Sequence, residues 1–472
     1  MSKADWGIVG MGVMGTALSR NFARQGYQLA LYNRFLKGQE EQLAHNRVVQ
    51  FEELKNAFPF EALAPFVNAL SRPRKIMLMI AAGGLDSFLE VLLPHLEADD
   101  IVVDGGNSHY LASIKRTALC AEKGIHLVSL GVSGGEEGAL LGPSLMGSGS
   151  SNALAKIEAD LAKIAAQNSK GQACFVSTVG PGSGHFIKMV HNGIEYAEMQ
   201  LLAECYDFMR SALGLSASAI GSVFEDWEKT SSKSYLLQIS ASILRENNTA
   251  GAIVDQILDQ ASNKGTGKWA TQAAIDLGLA VPLISAALEA RYISSFKGDR
   301  ESFSRIYNVN KLVYGDQKEV IEQLKAVYDF CRLINHHQGF ELLRIAAQSY
   351  SWELSLSEVA RAWTAGCIIN STLMEELTDT FQTADQILSQ PQYAVRFQNQ
   401  RENLEKAFNR VLTALVPMPC SAAAWHYFLG LIQKESSANL IQAQRDYFGA
   451  HGLHWKDQPE GELDHGPWKQ KQ

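Results

Sequence analysis

The chain has 472 residues, 46% hydrophobic and 19% charged, the balance of a globular protein with room for two or three domains. Its formal net charge of −8 argues against nucleic acid as a partner, and no run of about 18 uninterrupted apolar residues marks a membrane span. The six cysteines (Cys120, Cys174, Cys205, Cys331, Cys367, Cys420) lack CxxC or metal-ligand spacing, so no metal is expected and a reducing, cytoplasmic setting is. The N-terminus runs straight into a predicted strand, without a signal-peptide pattern.

Trp6–Val9 reads as a short apolar strand, Gly10–Gly15 as a GxGxxG turn, Thr16–Gln25 as a helix and Gln28–Tyr32 as a second strand. Between a strand and a helix, such glycines let the backbone approach a pyrophosphate at the helix N-terminus. Gly10, Met11, Gly12, Val13, Met14 and Gly15 are therefore expected to line a dinucleotide. The second strand ends in Asn33-Arg34 instead of the Asp or Glu that holds a ribose 2′-hydroxyl in NAD sites. With no carboxylate there to repel a 2′-phosphate, and a guanidinium to pair with one, the expected cofactor is NADP.

Predicted strands at Lys75–Ile80, Ile101–Val103 and Ile125–Leu130 alternate with helical stretches near 51–70, 85–97 and 109–122. This alternation means a doubly wound, mainly parallel sheet that binds ligands beyond its carboxyl edge. Two strand ends there are glycine-rich, Asp104–Ser108 and Gly131–Gly138, and their backbone N–H groups can form an anion nest. Asn107 and Ser133 could then hold a carboxylate or hydroxyl of a small substrate. Further strands are expected at Pro143–Gly149 and Gln172–Ser177, around a helix at Asn152–Ala166.

Thr178–Gly184 reads as a linker, and from about 185 to 435 the pattern is long helices. The expected architecture is a Rossmann-type α/β domain over 1–179, a large all-α domain over 180–436 and a C-terminal tail over 437–472. In the first long helix, predicted to reach about Met209, Lys188, His191, Asn192, Glu195 and Met199 fall at i, i+3, i+4, i+7 and i+11, on one face. Their neighbours are mostly apolar, and a buried Lys and Glu are costly unless paired or used. Seven residues is too far for the usual i,i+4 pair. A base and an acid aimed into one cleft, about 10.5 Å apart along the axis, fit better. A faint repeat relates His191–Tyr206 to Asn335–Tyr350 and Trp227 to Trp363, with Gly339 opposite Glu195 in the alignment. His336 and His337 are adjacent and do not share a helical face, so they suggest no metal. In Ser262–Trp269, Thr266 lies between two glycines with Lys264 and Lys268 nearby, a set that suits a phosphate; Arg291 could add a guanidinium. The tail carries a predicted helix, Asn439–Phe448, with Arg445 and His451 as the residues able to reach a phosphate.

The chain resembles the decarboxylating 6-phosphogluconate dehydrogenase family. The matching stretches are GMGVMG, DGGNS, GVSGGEEGA, GPSLM, GHFIKMVHNGIEYAEMQL, NKGTGKW, ARYISS and QRDYFGAH, in the family's order across nearly the whole chain. The resemblance implies NADP-dependent oxidative decarboxylation of 6-phospho-D-gluconate to ribulose 5-phosphate, a pentose phosphate pathway reaction that needs no metal. It implies Lys188 as general base and Glu195 as general acid. Asn107, Ser133, Gly134, Gly135, His191 and Asn192 would hold the sugar-acid end, and Tyr196, Lys264, Thr266 and Arg291 the phosphate. Arg445 and His451 would come from the other subunit's tail, which implies a homodimer. Gly10, Gly12, Gly15, Asn33, Arg34 and Asn107 would contact NADP. The chain departs from the family's pattern at Phe35, Ala81, Leu140-Leu141, Thr364 and Asn370, the first two near the cofactor residues. Two other readings stand beside this one. A dehydrogenase of another 3-hydroxy acid would have no use for the phosphate residues. A non-catalytic dimer sensing nucleotides or sugar phosphates would have no use for both Lys188 and Glu195.

Overall fold

The structure is a computed structural model that describes residues 3–262, 265–307, 313–458 and 461–468. It divides into two compact units, Met1–Ala423 and Ala424–Gln472.

The first unit opens with eight strands: β1 (Trp6–Val9), β2 (Leu29–Tyr32), β3 (Phe58–Phe60), β4 (Lys75–Leu78), β5 (Ile101–Asp104), β6 (His126–Ser133), β7 (Ser144–Gly149) and β8 (Phe175–Val179). They form one sheet in the order β3-β2-β1-β4-β5-β6-β7-β8, parallel except where β7 runs antiparallel to β6. Seven helices accompany them: α1 (Val13–Arg24), α2 (Leu43–Gln50), α3 (Leu63–Asn68), α4 (Ala82–Leu92), α5 (Tyr110–Ala121), α6 (Gly135–Leu141) and α7 (Ser151–Ile164). A parallel strand covered on both faces has to be apolar throughout. β1 (WGIV) is accordingly buried along its whole length. One core, with Phe22 of α1 and Leu161 of α7, covers one face; the other, with Phe66 of α3 and Leu89 of α4, covers the opposite face.

Several boundaries differ from expectation. The predicted helix over 51–70 is instead a short turn at Glu52–Leu54, then β3 and α3. Pro59 sits inside β3, which is tolerable because β3 is the sheet's edge and one side of it needs no ladder partner. β6 runs on to Ser133, so the first part of the GVSGG stretch is strand and the chain turns at Gly134 and Gly135, at φ +112° and +65°. β8 reaches Val179, which leaves Gly180–Gly182 as the whole connection to the next helix.

That helix, α8 (Ser183–Leu213), is longer than expected and stops at Gly214 in the left-handed conformation, a common helix C-terminus. Apart from a two-stranded antiparallel pair at Asn247–Asn248 and Gly251–Ala252, the rest of the unit is mainly helical: α9 (Ala217–Glu228), α10 (Tyr235–Arg245), α11 (Thr266–Asp276), α12 (Pro282–Ser295), α13 (Lys297–Ile306), α14 (Gln317–Tyr350), α15 (Leu356–Ala362), α16 (Thr372–Thr380), α17 (Pro391–Thr413) and the start of α18 (Pro419–Ile432). The residues of the faint sequence repeat lie on α8 and α14, with Trp227 in α9 and Trp363 directly after α15. The two long helices cross where Asn335 Nδ2 donates to the Ile194 carbonyl at 2.9 Å. A Cβ on Gly339 would lie 2.5 Å from Ile194 Cδ1, so the crossing depends on that glycine. The capping serines of α10 and α16, Ser234 and Ser371, pair with each other in an isolated bridge. One turn along α8 from the crossing, Glu198 and Arg332 form a fully buried ion pair at 2.7 Å, and Arg332 also donates to the Ser232 carbonyl.

In the second unit, α19 (Ala438–Gly449) carries Asp446, whose buried carboxylate accepts from the backbone N–H groups of Gly452 and Gly466 and from the Trp468 indole, at 2.9–3.0 Å. His465 Nδ1 lies 2.6 Å from the same carboxylate. One buried acid thus fastens a tail that has little core of its own.

Candidate active site

α8 approaches the carboxyl edge of the sheet closely because two glycines meet there. A Cβ on Gly131 of β6 would lie 2.5 Å from Lys188 Cβ, and one on Gly184 of α8 would lie 2.6 Å from the Ser129 carbonyl oxygen. With both side chains absent, Lys188 reaches the end of β6, and its Nζ donates to Ser133 Oγ at 2.8 Å. His191 lies against both groups: its Nε2 is 3.1 Å from Ser133 Oγ and its Nδ1 is 3.2 Å from Lys188 Nζ. Asn192 Oδ1 is 3.3 Å from His191 Nδ1, and Glu195 Oε2 is 3.6 Å from it. The Trp363 ring packs edge-on against the imidazole. Lys188, His191, Asn192 and Glu195 of the predicted stripe therefore gather in one polar cluster with Ser133, while Met199 lies outside it, exposed and against Arg291.

Burial sets the protonation of this cluster. It pushes the Lys188 ammonium pKa down against an opposing pull from Glu195. It pushes the Glu195 carboxyl up, against the pull of Lys188 and Arg291. Burial and the neighbouring lysine hold His191 well below the ordinary histidine range, so the imidazole is neutral. Desolvation thus favours a neutral amine and a protonated carboxyl, the starting states of a base and an acid.

The loop after β5 is held by residues that motif reading passed over. Asp104 Oδ1 accepts from Gly106 N–H at 3.1 Å and Oδ2 from Ser108 Oγ at 2.7 Å, while Arg116 of α5 donates to Ser108 Oγ at 3.0 Å. His185, at the start of α8, donates from Nε2 to the Asp104 carbonyl at 3.1 Å, and its Nδ1 accepts from Ser113 Oγ at 2.7 Å. This network ties the Asn107 loop to the helix that carries Lys188 and leaves Asn107 exposed. Gly134 and Gly135 both have positive φ, and a Cβ on Gly134 would lie 2.6 Å from the Gly366 carbonyl.

Beside Glu195, Arg291 of α12 stacks its guanidinium 3.5 Å above the ring of the next residue, Tyr196, and donates to the Ser262 carbonyl at 3.3 Å. Gly267 of α11 faces the same ring, where a Cβ would lie 2.6 Å away. Tyr196, Arg291 and the N-terminus of α11, opened by Gly265 at φ +87°, therefore share one locality, and a helix N-terminus is a favourable place for an anion. Lys264 lies outside the described residues. Thr266 begins α11. Arg445 and His451 belong to the second unit: Arg445 donates to Gln442 Oε1 at 3.1 Å and His451 packs edge-on against Phe448.

The glycine turn fits a dinucleotide. Gly10 has φ +92°, and a Cβ on Gly15 would run into the Gly10 carbonyl oxygen. Gly12 caps α1 with no side chain over the helix end, and a Cβ there would meet nothing within 4 Å, so the N-terminal donors face open space. Met11 N–H donates to Asn33 Oδ1 at 2.9 Å, which locks the turn to the end of β2; Val13 is exposed and Met14 half-buried. The expectation of no carboxylate beside Arg34 needs correction. Glu40 folds back from six residues on and pairs with Arg34 at 3.1 Å, a contact no local motif announces. Among the described residues, no group of three His, Cys, Asp or Glu could hold a metal, and no helix is long and apolar enough to cross a membrane.

Residues 5–180 match the model of the NAD binding domain of 6-phosphogluconate dehydrogenase, and residues 184–468 match that of the 6-phosphogluconate dehydrogenase C-terminal domain. The chain is 39% identical over 459 residues to a decarboxylating 6-phosphogluconate dehydrogenase of Lactococcus lactis subsp. lactis, covering 96% of each chain. To the enzyme of that name in Escherichia coli K12 it is 38% identical over 458 residues, again covering 96% of each. Among solved structures, Plasmodium falciparum 6-phosphogluconate dehydrogenase superposes with a TM-score of 0.93 at 33% identity, over 98% of this chain and 100% of that one; it has been described as the apo form and in complex with its cofactor NADP+ and its substrate 6-phosphogluconate.

Proposed function

The chain belongs to the 6-phosphogluconate dehydrogenase family, and from that membership we propose how its own residues carry the reaction. Its activity is the NADP-dependent oxidative decarboxylation of 6-phospho-D-gluconate to ribulose 5-phosphate and carbon dioxide. NADP, when bound, supplies the acceptor for the hydride that leaves substrate C3. Gly10, Met11, Gly12, Val13, Met14, Gly15, Asn33, Arg34 and Asn107 hold it. Lys188 takes the C3 hydroxyl proton as the C3 carbonyl forms. The protonated lysine then donates to that oxygen while the bond between C1 and C2 breaks, carbon dioxide leaves and an enediol remains. Glu195 protonates the former C2, now C1 of the product, as Lys188 removes the proton from the remaining enediol hydroxyl and the ketone forms. The pair ends charged, and one proton passing from Lys188 to Glu195 resets it.

One observation supports this assignment above the others: a buried Lys188 bonded to Ser133, with desolvation favouring its neutral form, on the same helix face as a Glu195 biased toward its protonated form. A free lysine, with a pKa of about 10.4, is a poor base at neutral pH, and burial moves it toward a usable range. Asn107, Ser133, Gly134, Gly135, His191 and Asn192 hold the sugar-acid end; Tyr196, Lys264, Thr266 and Arg291 hold the phosphate. Domains of 1–179, 180–436 and 437–472 divide the labour between cofactor, substrate and subunit exchange. Arg445 and His451 complete the phosphate site of the other subunit in a homodimer. The free, buried cysteines suit a reducing cytoplasm.

Purified protein with 6-phosphogluconate and NADP should yield reduced cofactor and carbon dioxide in equal amounts, and should leave unphosphorylated gluconate largely unused. Equal turnover of gluconate would contradict the phosphate assignment.

A further inference from the structure

The carboxylate that the end of β2 lacks arrives from the loop behind it. After Arg34 the chain turns tightly: Glu40 N–H donates to the Leu36 carbonyl at 2.8 Å, and Gly38 takes φ +75°. This lays Glu40 back over the strand end. Its Oε1 lies 3.1 Å from Arg34 Nη2 and its Oε2 lies 3.4 Å from Arg34 Nε, while Oε2 also accepts from Asn33 Nδ2 at 2.9 Å. One carboxylate thus occupies donors of both residues assigned to the cofactor's 2′-phosphate. Arg34 and Asn33 together hold the Glu40 carboxyl below its ordinary range, so it is charged at neutral pH.

The guanidinium edge serves one oxyanion pair at a time. A 2′-phosphate must therefore displace Glu40 from Arg34 and then remain beside a like charge. A 2′-hydroxyl makes neither demand: it is a donor, and an acidic side chain at the end of the second strand is its usual acceptor.

We propose that Glu40 is a cofactor-selectivity residue, opposing the 2′-phosphate of NADP and accommodating the bare ribose of NAD, so that it narrows the preference set by Asn33 and Arg34. This rests on the reading of Asn33 and Arg34 as the 2′-phosphate residues. With its side chain 69% exposed, Arg34 is free to swing between the two anions. Glu40 is then the resident competitor at the site.

The test is equilibrium binding to the full-length protein, followed by calorimetry, of NADP, NAD and 2′,5′-ADP, the last as a probe of the 2′-phosphate alone. Glu40→Gln and Glu40→Ala should each tighten NADP and 2′,5′-ADP by about two- to fivefold, the scale of an exposed ion pair, and leave NAD unchanged or weaker. Arg34→Ala should erase the preference for NADP. If the Glu40 variants leave the NADP-to-NAD ratio unchanged or lower it while Arg34→Ala collapses it, the role of Glu40 is overturned and the reading of Arg34 stands. If Arg34→Ala leaves NADP binding intact, both fall. Thermal unfolding of each variant confirms that it is folded.

Discussion

Lys188 and Glu195 are shifted in opposite directions by the same cause, removal from water, and each also pulls its neighbour back toward charge. That coupling has a sign that can be measured. Wherever Glu195 is ionised it raises the Lys188 pKa, so over that pH range Glu195→Gln removes a stabiliser of the ammonium and Lys188 becomes neutral at lower pH. The acid limb of the kcat/KM profile should therefore move to lower pH in Glu195→Gln, and a limb that stays or moves up would contradict the coupling. Lys188→Arg keeps a cation that cannot be deprotonated, so hydride transfer should fall by about 10²–10⁴-fold while substrate still binds, read in single-turnover absorbance. Much of this was legible from spacing, because Lys188, His191, Asn192 and Glu195 share one helix. Contacts made across sequence distance or through loops were not. His185 meets Asp104 across 81 residues of sequence, and Glu40 meets Arg34 through a loop whose fold no local pattern announces.

At the scale of elements, the site depends on how closely α8 lies on β6. Gly131→Ala would place a methyl group 2.5 Å from Lys188 Cβ and 2.9 Å from the Gly184 carbonyl. The helix must then retreat, at a cost of about 1–3 kcal/mol in stability. A Lys188 displaced by about 1 Å should lose roughly 10²-fold in kcat/KM. Wild-type kinetics in Gly131→Ala would contradict this contact. The crossing of α8 and α14 carries the buried Glu198–Arg332 pair, and Glu198→Ala leaves a guanidinium buried without its counter-ion. Chemical denaturation should register a loss of about 3–5 kcal/mol. The alternation of strands and helices and the glycine turn were readable because burial on both sheet faces leaves apolar runs. β3 was not, because an edge strand of three residues with a central proline carries almost no period. The antiparallel β6–β7 pair was hidden for a different reason: strand direction is set by the connection, and the apolar pattern is the same either way.

At the scale of the molecule, the order of motifs along nearly the whole chain carried the family assignment, which the matches over 5–180 and 184–468 bear out. Association is a property of surfaces, and the sequence pattern alone left it as an implication of resemblance. If Arg445 serves the other subunit's site, two inactive variants should complement each other. Lys188→Ala and Arg445→Ala, mixed and re-associated, place both defects in one site of each mixed dimer and leave the other site intact. About a quarter of all sites should then be functional. A mixture no more active than its separate components would contradict tail exchange.

The most direct test of the central claim follows the two proton steps separately in a single turnover, by nicotinamide absorbance, carbon dioxide release and appearance of ribulose 5-phosphate. With Lys188→Ala, hydride transfer itself should nearly vanish. With Glu195→Gln, hydride transfer and carbon dioxide release should proceed while ribulose 5-phosphate lags, because only the proton to its C1 is delayed. Normal turnover by Lys188→Ala, or a Glu195→Gln enzyme that stalls before hydride transfer, would contradict the account.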